Sequence, residues 1–196
     1  MLAAASPRSA SGVRNRALVA VLYRGGLRLG EALALRVADV DLEAGSVRVL
    51  RGKGAKARTV GLDRGGGRAL VERWTERRGQ LGIGRRSPLF CTISAGQRSG
   101  AVLRPGQEPR PRYVRAVFRR LAERAGVEKR VHPHGLRHTH AAELAAEGIP
   151  STVIRDQLGH SNLSTTDRYL RHVAPQEVLR AMRGRSWEPN AAAAGP

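Results

Sequence analysis

Apolar positions recur at helical spacing along most of the chain and at two-residue spacing in one interval of its first third. Val13, Ala17, Leu18, Val21 and Leu22 share a helical face, so Val13 to Arg24 reads as a helix. Gly25 and Gly26 end it, glycine being the residue that closes helices in a left-handed conformation. Leu29 to Val37 is a second helix, with Leu29, Leu33 and Leu35 turned inward. Asp39 to Asp41 leads into the alternating interval. There Ser46 to Leu50 and Ala57 to Leu62 read as antiparallel strands joined through Gly52-Lys53-Gly54. Asp63 is placed to cap a helix running to Gln80, although Gly65, Gly66 and Gly67 weaken its first turn.

Further along, Ser87 to Thr92 is a short buried extended segment, and the Gly-, Pro- and Arg-rich stretch from Ile93 to Arg110 reads as a long loop. Pro111 to Ala125 is strongly amphipathic, with Val114, Val117, Phe118 and Leu121 inward. Pro133 to Glu147 forms the next helix, closed by Gly148. Ser151 caps a short helix through Leu158, Ser164 or Thr165 caps one that carries Tyr169, and Pro175 to Arg183 forms the last. The expected architecture is α+β: a mainly helical domain with a small three-stranded antiparallel sheet. Residues 1–11 are expected to be a disordered lead-in, residues 12–184 one folded domain, and residues 185–196 a flexible Ala-rich tail.

Composition narrows the partner. With 41% apolar residues in 196 the chain is able to build a core. It lacks the run of about 18 apolar residues that a membrane-spanning helix needs. Cys91 is the one cysteine; it forms no internal disulfide, fits a reducing cytoplasm, and is expected to be a buried apolar residue. The 35 Lys and Arg outnumber 16 Asp and Glu, for a formal charge of +19. An excess of that size calls for a polyanion, nucleic acid or an acidic membrane. Most of it is arginine, whose guanidinium forks bind phosphate oxygens in pairs. Aromatics are only 4%, so stacking on single-stranded bases is not the main mode of binding.

The candidate chemistry lies in four short segments: Gly26-Leu27-Arg28-Leu29-Gly30-Glu31, Gly52-Lys53-Gly54, His134-Gly135-Leu136-Arg137-His138, and Leu158-Gly159-His160 followed by Tyr169. A phosphodiester resists attack because its anionic oxygens repel nucleophiles, and charge builds further in the transition state. Arg28 and Arg137 are the candidates to neutralise it, with His160 donating to the same phosphate. Tyr169 is the candidate nucleophile. A phenol with pKa near 10 needs a base or a positive field, and His134, on the same helical face as Arg137, is placed to take its proton. Attack yields a covalent phosphotyrosine that keeps the bond energy for rejoining, so neither ATP nor a metal is required. Lys53, at a hairpin tip, is the candidate acid for the leaving deoxyribose oxygen, with Lys56 its rival. Glu31 is expected to bury beside Arg28 and orient it. His138, His140, Tyr23 and Tyr113 are expected to be structural, and no third ligand completes a zinc set around the histidines. Gly52-Lys53-Gly54 is not a nucleotide-binding loop, since neither Ser nor Thr follows the lysine.

With these segments in this order, the chain resembles the catalytic domain of the tyrosine recombinases, the phage integrase family, from about Arg14 to Val173. The resemblance implies a site-specific recombinase that cuts duplex DNA through a 3′-phosphotyrosine link and exchanges strands through a Holliday junction. It implies a homotetramer on DNA, the helix from Pro175 to Arg183 docking on a neighbour, no cofactor and no metal. A cytoplasmic, nucleoid-associated protein follows. Family members usually carry a helical core-binding domain ahead of the catalytic one, and none is expected in this chain. That leaves a second expectation open, a truncated and inert DNA-binding fragment. A type IB topoisomerase and an RNA-binding protein are weaker alternatives.

Overall fold

The computed structural model describes residues 1–50, 57–63, 65–98, 101–129, 131–159 and 183. Helix α1 (Ala10–Tyr23) runs through the centre. Its apolar positions are not confined to one stripe: Val19 and Ala20 are buried as fully as Val13, Ala17, Leu18, Val21 and Leu22. A helix apolar around most of its circumference can satisfy that surface only inside the domain. It packs against α2 (Leu29–Ala34), α3 (Gly67–Gln80) and α5 (Pro133–Ala146).

The sheet has three antiparallel strands in sequence order: β1 (Val40–Asp41), β2 (Ser46–Val49) and β3 (Arg58–Gly61). Val47 pairs with Val60 and Val49 with Arg58. Val47, Val49 and Val60 face the core while Arg48 and Thr59 face solvent, the two-residue alternation of a half-buried strand. The α+β expectation therefore holds, with helices enclosing a small antiparallel sheet.

Several expected boundaries shift, each for a local reason. The segment expected to be a disordered lead-in is tied down instead. Ala5 is 3% exposed, Arg16 donates to the Leu2 carbonyl at 2.9 Å, and Arg73 donates to that of Pro7 at 2.9 Å. Ser9 caps α1, its hydroxyl accepting from the Gly12 N–H at 3.2 Å. Helix α2 stops at Ala34 because Leu35 and Arg36 are extended alongside the segment at Pro88. There the Leu89 N–H donates to the Leu35 carbonyl at 2.6 Å, and Arg36 bridges to Pro88. A 3₁₀ turn, Val37–Asp39, follows. Asp63 caps α3 from outside it, its Oδ1 accepting from the N–H groups of Gly66 at 2.8 Å and Gly67 at 2.6 Å.

The stretch expected as a structureless loop holds an antiparallel hairpin, β4 (Gly96–Arg98) and β5 (Ala101–Leu103). Three-residue strands pair through backbone groups, so the Gly- and Arg-rich sequence carries little of their signal. Helix α4 (Pro111–Arg124) buries Val114, Val117, Phe118 and Leu121 as expected. Leu89, Phe90 and Cys91 are fully buried. Helix α6 (Ser151–Leu158) starts at Ser151 rather than being capped by it; Pro150 holds the cap position. Ala141, Ala145, Ile154 and Leu158 make a second small core joining α5 to α6. No helix among the described residues is long and apolar enough to cross a membrane. The Lys53 turn, His160, the Tyr169 helix, the Pro175–Arg183 helix and the tail lie outside the described residues, Arg183 excepted.

Candidate active site

Three elements bring arginines to one place, the carbonyl end of α6. A helix leaves its last carbonyls without intrahelical partners and carries partial negative charge there. Arg58, the first residue of β3, donates through Nε to the Gln157 carbonyl at 3.3 Å. Arg137, from the middle of α5, donates through Nη2 to the Leu158 carbonyl. Arg28, just ahead of α2, donates through Nη2 to the Gly159 carbonyl at 3.2 Å. Three consecutive carbonyls thus accept from three different arginines. His160 is the next residue in the chain.

The turn that delivers Arg28 requires glycine. Gly26 has φ +64°, and a Cβ there would lie 2.7 Å from the His140 ring and 2.7 Å from Leu158 Cδ2. Its carbonyl accepts from Arg137 Nη1 at 2.5 Å, which ties the turn to α5. Arg28 itself is extended (φ −72°, ψ 150°), so its side chain leaves the turn before the helix begins. Its side chain is 30% exposed, against 4% for that of Glu31.

Glu31 is buried and binds both Arg28 and Arg58. Its Oε2 accepts from the Arg28 backbone N–H at 2.9 Å and its Oε1 from Arg28 Nη1 at 2.7 Å. The same two oxygens accept a parallel fork from Arg58, Nη1 to Oε1 at 3.0 Å and Nη2 to Oε2 at 2.8 Å. Burial opposes ionisation of Glu31. The hydrogen bonds from Arg58 and Arg28 outweigh it, and they hold the carboxyl down at about 2. One carboxylate set against Arg28, Arg58 and Arg137 leaves the cluster net positive, an environment that favours an oxyanion.

Helix α5 supplies the histidines. Its cap is His132, whose Nδ1 accepts from the Gly135 N–H at 2.9 Å, and Pro133 fills the first helical position. His134 is therefore not the cap. It is exposed, and its ring meets the edge of the His138 ring with centroids 4.2 Å apart. Partial desolvation lowers the His134 pKa below its ordinary value, and the charges of Arg137, His132 and Arg28 lower it further. Both effects favour the neutral ring, the form a proton acceptor needs. His138 is pushed to about 4 by desolvation and by His134.

Two of the three tyrosines are engaged in packing, as expected. The Tyr23 hydroxyl donates to Glu143 Oε1, and burial together with Glu143 raises its pKa, which disfavours the phenolate. The Tyr113 hydroxyl accepts from Arg14 Nη2 at 3.2 Å.

Of the residues singled out in the sequence, the structure brings Arg28, Glu31 and Arg137 together, with His134 one turn from Arg137. Lys53, His160 and Tyr169 fall outside the described residues. Arg58 was missed. It lies two residues before Val60 on the core-facing side of β3, so a basic residue at an inward position was the available signal; its partners, Glu31 and the Gln157 carbonyl, are 27 and 99 positions away.

Known proteins share this architecture. The phage integrase family model matches residues 1–176, and the chain belongs to that family. Tyrosine recombinase XerD of Corynebacterium glutamicum is 35% identical over 172 residues, covering 88% of this chain and 52% of that protein. Tyrosine recombinase XerC of Xylella fastidiosa strain 9a5c is 37% identical over 161 residues, covering 81% of this chain and 48% of that protein. The chain thus spans about half the length of these relatives. Among solved structures, XerA recombinase superposes with a TM-score of 0.74 at 28% identity, over 94% of this chain and 60% of that one. XerH recombinase bound to a palindromic difH substrate, in a post-cleavage complex, superposes with a TM-score of 0.71 at 28% identity, over 92% of this chain and 49% of that one.

Proposed function

We propose that this chain is the strand-cleaving unit of a site-specific DNA recombinase. Arg28 and Arg137 provide the positive field for the scissile phosphate, and His160 donates to one of its oxygens. The Tyr169 hydroxyl attacks phosphorus while its proton passes to His134. The bond from phosphorus to the 5′-oxygen breaks, and Lys53 protonates that oxygen. The product is a 3′-phosphotyrosine and a free 5′-hydroxyl; rejoining runs the same steps in reverse. Because one phosphodiester is exchanged for another, no nucleotide triphosphate is consumed.

The observation that carries this reading is the seating of three arginines on consecutive carbonyls at the end of α6. One of the three, Arg137, shares α5 with His134, and the last of the three carbonyls, that of Gly159, directly precedes His160 in the chain. The lowered pKa of His134 and the commitment of Tyr23 and Tyr113 to other partners support it. The formal charge of +19 supports double-stranded DNA as the partner, held mainly through phosphates. On the same reading four copies assemble on DNA, each docking its helix from Pro175 to Arg183 on a neighbour, in the nucleoid of the cytoplasm.

A metal-free incubation with a pool of nicked duplexes of randomised sequence tests it. A nick near the cut lets the short fragment carrying the free 5′-hydroxyl diffuse away and traps the covalent species. Wild type is expected to give a protein–DNA adduct that survives denaturing electrophoresis, and Tyr169→Phe none with DNA binding retained. Binding without an adduct in the wild type overturns cleavage by this chain alone and favours the inert DNA-binding fragment.

A further inference from the structure

We propose that Arg58 is a positioning residue for strand cleavage, acting through Glu31 on Arg28 and directly on the carbonyl end of α6. This rests on the cleavage function proposed above. The observation is a single side chain, 11% exposed, whose guanidinium makes both links. Its two Nη atoms fork onto the carboxylate that holds Arg28, and its Nε holds the carbonyl of Gln157. The planar fork fixes Glu31 in direction as well as charge.

The surroundings are shaped to admit it. Gly159 has φ +63°, and a Cβ there would fall 2.7 Å from both Cδ and Nε of Arg58. The missing side chain leaves the space in which the guanidinium lies against α6. Arg58 opens β3, whose pairing with β2 fixes the strand at Val49. The sheet, the Arg28 turn and the α6 terminus are thereby referred to one side chain. Small displacements of a group that stabilises a transition state cost large factors in rate.

The test compares wild type, Arg58→Lys and Arg58→Ala on the duplex recovered from the randomised pool. DNA affinity, the single-turnover cleavage rate at saturating DNA, and the melting curve are measured. Lysine keeps the charge but has no fork. Both variants are expected to cleave about 10- to 100-fold more slowly at saturating DNA, with Kd within about threefold of wild type. Millimolar guanidinium is expected to restore part of the Arg58→Ala rate where equal sodium chloride does not. An unchanged saturated rate with weakened affinity would make Arg58 a phosphate contact and overturn the proposal. Loss of cooperative melting in both variants would make it a folding residue and overturn it equally.

A second readout needs no cleavage. Nitrogen-15 spectra of the arginine side chains are expected to show the Arg28 guanidinium signals shifting and averaging in Arg58→Lys. Unchanged Arg28 signals would overturn the positioning role, whereas absence of any wild-type adduct bears on the proposed function alone.

Discussion

The Arg28 guanidinium reaches the Gly159 carbonyl across 131 residues of sequence at 3.2 Å. That contact joins the segment ahead of α2 to the last carbonyl before His160. The two ends of the candidate site are thus held to each other directly as well as through the core. Its geometry depends on the left-handed backbone that ends α6.

Replacing Gly159 by alanine is therefore expected to be costly. The left-handed conformation alone costs a residue with a Cβ about 1–2 kcal/mol, and the added methyl meets the Arg58 side chain at 2.7 Å. Urea unfolding of Gly159→Ala should show a loss of at least that size. Wild-type stability would mean that the Arg58 side chain does not occupy this space.

Glu31→Gln removes the charge that two arginines share. The Glu31 side chain is 4% exposed, and breaking a buried pair by removing one partner is expensive. A stability loss of about 3 kcal/mol by urea unfolding at pH 7 is expected. A change below about 0.5 kcal/mol would contradict the central place given to this carboxylate.

His140 is expected to make stability fall in mild acid. It is 5% exposed, and its Nε2 has no hydrogen-bond partner among the described residues. Burial, and after it the charge of Arg24, depresses its pKa to about 4; Glu143 and Asp63 oppose this and Arg137 adds to it. In the unfolded chain a histidine takes its proton near 6.5. Between that pH and about 4 the unfolded state binds the proton and the folded state does not, so this contribution is complete above 6.5 and lost as pH falls toward 4. His134 and His138 are depressed as well and act in the same direction. The fall in stability between pH 7 and pH 5 should therefore shrink in His140→Leu without vanishing. An identical pH dependence in the variant would contradict a buried neutral His140.

The legible parts of the fold and site are those in which partners are near in sequence or spacing sets the face. The stripe on α4 predicts its buried residues because amphipathicity is a property of one helix. Glu31 was legible as the partner of Arg28 because three residues on a helix start place the two side by side. Arg58 was not, because its partners Glu31 and Gln157 come from two other elements; the two-residue alternation puts it on the buried face with Val60 but does not say what it meets there. The β4–β5 hairpin was missed because its pairing is carried by the backbone. The packed lead-in was missed because its apolar residues, Met1 to Ala5, are too few to show a period, and nothing in them announces the core they pack on or the arginines that hold the Leu2 and Pro7 carbonyls.

The most direct measurement is to locate the DNA on the protein. The adduct formed with a nicked duplex is digested with nuclease and protease, and the peptide bearing the residual nucleotide is sequenced by tandem mass spectrometry. The nucleotide is expected on the oxygen of Tyr169, linked through its 3′-phosphate. Attachment at Tyr23, Tyr113 or a serine, or a 5′-phosphate linkage, would contradict the assignment of this site.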